Sequence, residues 1–191
     1  MRSIAHIKES SKNYFAIEDA LKSAITKSEA LSDRNQPPGK NVDLILWRHA
    51  DAESGAPDKE RKLTAKGRKQ AKRVAAWLRK RLPKDVIVLV SPASRAIETA
   101  EALTDRYRTA PQLNTDARAS EILDAAGWPD ARTTVVVVGH QPALGRAAAL
   151  ALAGKEADWK IRKGAAWWLA CGKDEEEVEV ALRAVVPPEF A

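Results

Sequence analysis

The chain has 191 residues, 45% of them hydrophobic, a formal net charge of +6 and one cysteine, Cys171. That length suits a single domain with a sizeable core. No apolar run reaches the roughly 20 residues a membrane helix needs, and the amino terminus carries no hydrophobic leader, so membrane insertion and secretion are not expected. A lone cysteine cannot form an internal disulfide, which fits a cytoplasmic protein.

In chain order, Ile17, Leu21 and Ile25 recur at helical spacing and predict an amphipathic helix over about 14–31. Ser32 to Lys40, with Pro37, Pro38 and Gly39, reads as a linker. The expected division is therefore a helical arm and Pro-rich linker over 1–41, then a domain over 42–191. Val42 to Arg48 is a strand, and a helix over 64–82 follows, introduced by Leu63-Thr64-Ala65-Lys66-Gly67 and stopped before Pro83. Val86 to Val90 is a second strand, leading through Ser91-Pro92 into a helix over 93–107 with Arg95 in its first turn. Gln112-Leu113-Asn114 suggests an edge strand, and 120–126 a short helix closed by Gly127.

Thr134 to Val138 is the clearest buried strand, β-branched throughout, and a helix over 142–153 ends near Gly154. Two strands over 163–171 and 177–186 would close the chain as a hairpin. Strands alternating with helices predict an α/β three-layer sandwich, with a mostly parallel central sheet flanked by helices.

Three of these strands end in residues suited to an anion: Arg48 and His49, then Arg95 just beyond Ser91-Pro92, then His140. In a parallel α/β sheet such ends share one edge, where ligands bind. Helix amino termini near 93 and 142 fall at the same edge and favour a phosphate. The basic group Arg68, Lys69, Lys72, Arg73, Arg79, Lys80 and Arg81 reads as a solvated helix face. No aromatic-interleaved motif accompanies it, so neither nucleic acid nor membrane is an expected partner.

Four ordered segments carry a resemblance: Leu46-Trp47-Arg48-His49-Ala50-Asp51-Ala52, Arg61-Lys62-Leu63-Thr64-Ala65-Lys66-Gly67, Val90-Ser91-Pro92-Ala93-Ser94-Arg95-Ala96-Ile97-Glu98-Thr99-Ala100, and Val138-Gly139-His140-Gln141-Pro142. On these the chain resembles the histidine phosphatase superfamily, and within it the small phosphohistidine phosphatases of the SixA type. The resemblance implies a small, capless phosphoglycerate-mutase-like fold, with the segment 108–133 too short to hold a large cap.

It also implies a phosphatase in which His49 takes the phosphoryl group onto its ring. Arg48, Arg95 and His140 would hold the phosphoryl oxygens, and Arg61 would reach the same pocket. Neutral imidazole suits the nucleophile, and guanidinium forks match phosphate oxygens. No metal or other cofactor is implied, because arginines, a histidine and helix amides already offset the charge of the transferring group.

Glu121 is the nearest candidate for an acid that protonates the leaving group, although its pattern is also that of an exposed helix position; Asp51 and Glu53 are weaker candidates. Trp47, just before Arg48, is placed to wall the pocket, while the other tryptophans read as packing. His6 reads as a surface residue and Cys171 as a packed thiol.

A pocket without a strong acid favours a good leaving group, so the expected partner is a protein carrying phosphohistidine, with a small phosphorylated metabolite as the alternative. A phosphate-binding module without turnover is the third reading. A monomer is expected.

Overall fold

Alternating branched and aliphatic residues decide the layers here. A computed structural model describes residues 42–173 and 178–191. The arm and linker expected over 1–41, with His6, and most of the turn joining the last two strands lie outside the described residues. Along β1 (Val42–Arg48), Leu44 and Leu46 face one side of the sheet and Ile45 and Trp47 the other; β4 (Val135–Gly139) repeats this with Val135 and Val137 against Val136 and Val138. Both faces of both strands are therefore apolar, which a sheet tolerates only when helices cover it on each side.

The helices do so unequally. α1 (Ala65–Arg79) buries Ala71, Val74, Ala75 and Leu78 at helical spacing, and with α2 (Ser94–Glu101) it covers the face of Ile45 and Trp47. α3 (Ala119–Ala125) and α4 (Ala143–Ala153) cover the face of Leu44 and Leu46, with Leu144 fully buried. Thr64 caps α1 by accepting the Gly67 N–H at 2.9 Å. Gly154, at φ +69°, ends α4 in the left-handed conformation that glycine adopts without a Cβ clash.

With β2 (Ile87–Val90), β3 (Arg108–Thr109), β5 (Ala166–Lys173) and β6 (Val178–Val186), the sheet runs β3-β2-β4-β1-β5-β6. β1, β2, β3 and β4 are parallel to their neighbours in this set, and β5 and β6 add antiparallel pairing. This is the expected α/β sandwich with its closing hairpin. β4 is inserted between β1 and β2, pairing Arg48 with Gly139 on one side and Val90 with Val138 on the other.

Two elements differ from expectation. The helix expected to reach 107 stops at Glu101, because Arg79 of α1 takes the carbonyls of Ala102 and Leu103 and the chain must be extended by Arg108 to pair with Leu89. The edge strand is Arg108–Thr109 rather than 112–114: Pro111, which has no N–H for a ladder, opens a single 3-10 turn over Pro111–Leu113.

Two glycines mark where backbones nearly touch. A Cβ on Gly67 would collide with the Asp51 carbonyl, and one on Gly145 with the Trp159 carbonyl. Neither neighbour is a side chain that can rotate away. Gly67→Ala and Gly145→Ala should each destabilise the protein by about 1–3 kcal/mol or more in urea titrations, the range for overpacking, whereas Gly154→Asn should be nearly neutral.

Candidate functional site

β1 does not stop freely at its carboxyl end. The His49 N–H bonds Gly139 O at 3.1 Å, the Arg48 N–H bonds Ala165 O at 3.0 Å, and Gly164 N–H returns to His49 O at 3.0 Å. The Ala50 N–H donates to Thr99 Oγ1 at 3.1 Å, and that hydroxyl donates to Arg95 O at 2.6 Å. The Arg48-His49 turn is thus fixed to β4, to the 161–165 segment and to α2.

A cavity of about 310 Å³ opens there, lined by Arg48, His49, Asp58, Arg61, Arg95 and His140, with Ala52, Thr115, Gln141 and Lys163 completing its wall. All five residues expected at an anion site, Arg48, His49, Arg61, Arg95 and His140, therefore share one cavity. His49 Nδ1 lies 2.7 Å from Ala50 O, which can only accept, so Nδ1 carries the hydrogen and Nε2 the lone pair. Arg95 Nε donates to that lone pair at 3.3 Å.

The rings of His49 and His140 are 5.1 Å apart, and His140 Nε2 is 2.7 Å from Ser91 Oγ. His140 Nδ1 and Arg48 Nε are buried without a hydrogen-bond partner. Such polar atoms are costly to bury and rare in folded proteins, so a polar ligand is the natural complement to them.

Burial dominates the electrostatics. It pushes the His49 pKa down to about 4, with Arg95, Arg48 and Lys163 adding to the effect against the bond to Ala50. It pushes His140 down to about 3, helped by His49 and Arg95 and opposed by Asp58. Burial also lowers Arg48, which stays charged. Both imidazoles are neutral at pH 7.

Sequence reasoning missed one acid here. Asp58 Oδ2 accepts from Arg95 Nη2 at 2.9 Å, and Oδ1 from Arg61 Nε and Nη2 at 2.9 and 2.6 Å, so the carboxyl pKa lies below its usual range, chiefly through Arg95 and then Arg61. Its only sequence signal is the position three residues before Arg61. Lys163, bonded to Asp51 Oδ1 at 2.7 Å across 112 residues, has none.

Two expected residues lie elsewhere. Glu121 does not line the cavity; it accepts the backbone N–H of Arg118 at 2.8 Å and the Arg118 guanidinium at 2.9 Å, holding its own helix start and its pKa low. Trp47 is fully buried in the core and donates Nε1–H to Gly164 O at 2.9 Å, because odd-numbered residues of β1 face α1 and α2; it does not wall the pocket. At α4, Gln141 Oε1 takes the Gly145 N–H at 3.0 Å, so that amide is not free for a ligand.

Among the described residues no group of three or more His, Cys, Asp or Glu side chains is placed to hold a metal ion. Among the same residues no helix is long and apolar enough to cross a membrane.

The family model of the histidine phosphatase superfamily (branch 1) matches residues 44–123. A solved structure described as phosphohistidine phosphatase SixA from Nakamurella multipartitia is 26% identical, with TM-score 0.63, covering 78% of this chain and 97% of that one. A protein histidine phosphatase SixA complexed with tungstate is 24% identical, with TM-score 0.64, covering 77% and 97%. A phosphoserine phosphatase variant from Entamoeba histolytica with phosphoserine is 16% identical, with TM-score 0.60, covering 78% and 98%. The last two show likeness of fold. No curated protein sequence matches the chain.

Two neutral buried histidines have a consequence for stability. The unfolded chain takes up protons near the ordinary imidazole pKa of 6.5, and the folded chain does so only near 4 and 3. As pH falls from 6.5 to about 4, the unfolded state binds more protons and gains. The urea midpoint should therefore drop over that window and stay level above it, and His140→Asn should show a shallower drop than the unsubstituted protein.

Proposed function

We propose that this chain is a phosphatase of the histidine phosphatase superfamily that transfers a phosphoryl group to His49 and then to water, with phosphohistidine on a protein as its substrate. The observation that carries the substrate class is the state of the one carboxylate that lines the cavity among the described residues. Asp58 is ionised and held by two arginines, so it has no proton to give a departing alkoxide. A leaving group that brings its own proton avoids that problem.

Phosphohistidine does so. Its ring can be protonated by solvent on the nitrogen that does not carry phosphorus, and then departs as neutral imidazole. His49 Nε2 attacks with its lone pair, the new P–N bond forms as the old one breaks, and the positive charge on the His49 ring is shared through Nδ1–H and Ala50 O. Arg48, Arg95 and the Nδ1 side of His140 hold the equatorial oxygens, and Arg61 the outer rim. His140 supplies a donor at Nδ1 when the Ser91 hydroxyl donates to its Nε2, an arrangement that leaves Ser91 Oγ free to accept the Ala93 N–H at 3.3 Å. Water then attacks phosphorus, the P–Nε2 bond breaks, and phosphate leaves with His49 neutral again.

A small phosphoester is the second reading, since a cavity of about 310 Å³ would admit one. Rates separate the two: a phosphohistidine protein should be turned over well above a simple phosphomonoester.

Incubation with labelled phosphoramidate and EDTA should leave an acid-labile, base-stable phosphoryl group on His49, and its absence would remove the two-step reading. His49→Ala should lower turnover by at least about 10³-fold, as for loss of other catalytic nucleophiles. Glu121→Gln should leave turnover unchanged within about twofold, because that side chain only caps a helix.

A further inference from the structure

Arg95 is 3% exposed, and a guanidinium that deep in protein needs an anion or well-aligned acceptors. Asp58 supplies both. Its carbonyl accepts Arg95 Nη1 at 2.6 Å, its Oδ2 accepts Nη2 at 2.9 Å, and its Oδ1 is shared by two nitrogens of Arg61. The carboxylate thereby engages the inner and outer arginines that a bound phosphoryl group would use. Lys163, the fourth cation lining the cavity, is paired with Asp51.

We infer that Asp58 is a built-in competitor for the phosphoryl site: a tethered carboxylate that neutralises Arg95 and Arg61 when no substrate is bound, and that a phosphoryl group must displace from them. This rests on the phosphatase reading and adds a selectivity to it. A dianion beside a carboxylate on the same two guanidiniums is opposed by like-charge repulsion, so the two anions cannot share the pair at low cost.

The segment that carries Asp58 is suited to yield. Asp58 itself is 55% exposed, and residues 53–60 lie on the surface. The segment is held by an isolated bridge between Ala52 and Leu63, by a single 3-10 turn over Asp58–Glu60, and by Arg61 Nη1 on Glu53 O at 2.9 Å. No buried side chain lies in that turn, so moving the carboxylate exposes little apolar surface.

Occupancy of the arginines by Asp58 lowers the apparent affinity of any incoming anion by the fraction of molecules in which the pair is free. Free phosphate and similar anions have only the clamp to hold them, and bind weakly. A phosphoryl group attached to a larger substrate has further contacts to offset the displacement. After hydrolysis, return of the carboxylate helps expel inorganic phosphate, the product.

Asp58→Asn tests this, because the amide oxygen can still accept from a guanidinium while the competing charge is gone. Inhibition by orthovanadate and inorganic phosphate should be measured on both proteins, with Asp58→Ser as a second variant and circular dichroism as a check of folding. The substitutions should lower the inhibition constants by about tenfold, the scale of a charge-assisted hydrogen bond forgone, and should slow product release, seen as a burst of leaving group before steady state. Unchanged or weaker inhibition in both folded variants would overturn the inference and make Asp58 a residue that orients the arginines. Failure of the unsubstituted protein to turn over a phosphohistidine protein would instead remove the phosphatase reading on which it rests.

Discussion

The pairing of β4 with both β1 and β2 is the constraint on which the site depends. Register on the two sides is fixed by runs of branched residues that must bury both faces, and it sets Arg48 level with Gly139 and Val90 level with Val138. The next residues, His49, His140 and Ser91, then emerge together. A slip of one residue would turn Ile45 and Trp47 toward α4 and invert every side chain of β1, so the core that specifies the fold also specifies which residues meet.

Putting those residues together creates an electrostatic problem. Three guanidiniums and two imidazoles share one small space, and burial resolves it by keeping both imidazoles neutral. Neutrality leaves a lone pair on His49 Nε2, while the Ala50 carbonyl decides which nitrogen bears it. Charge on the arginines cannot be shed in the same way, so an anion must stand beside them. Asp58 fills that place and, for the same reason, has no proton to give. The proposed substrate class and the inferred anion selectivity both rest on the need to balance that charge.

Much of the architecture was legible in the chain. The β-branched run at 134–138, Thr64 before an amphipathic helix, and Gly127 and Gly154 as helix stops each carry local physics that survives folding. Misreadings had three separate causes. α2 is shorter than its composition suggests because Arg79, on another helix, takes the carbonyls at its end. Trp47 faces the core because strand parity overrides adjacency to Arg48. Glu121 resembled an available acid, but its own N-cap region holds it.

The sequence by itself determined which chemistry was possible. Arg48, His49, Arg95 and His140 lie in motifs whose local form, strand end or helix first turn, already assigns them to one sheet edge, whereas Arg61 was expected there only through the family resemblance. Only tertiary structure decided the protonation of the histidines, because that depends on how deeply the assembled fold buries their rings. It alone also brought Asp58 onto Arg95 and Lys163 onto Asp51. Loop side chains carry no periodicity, and their partners are chosen by which cations the folded sheet leaves in need of an anion.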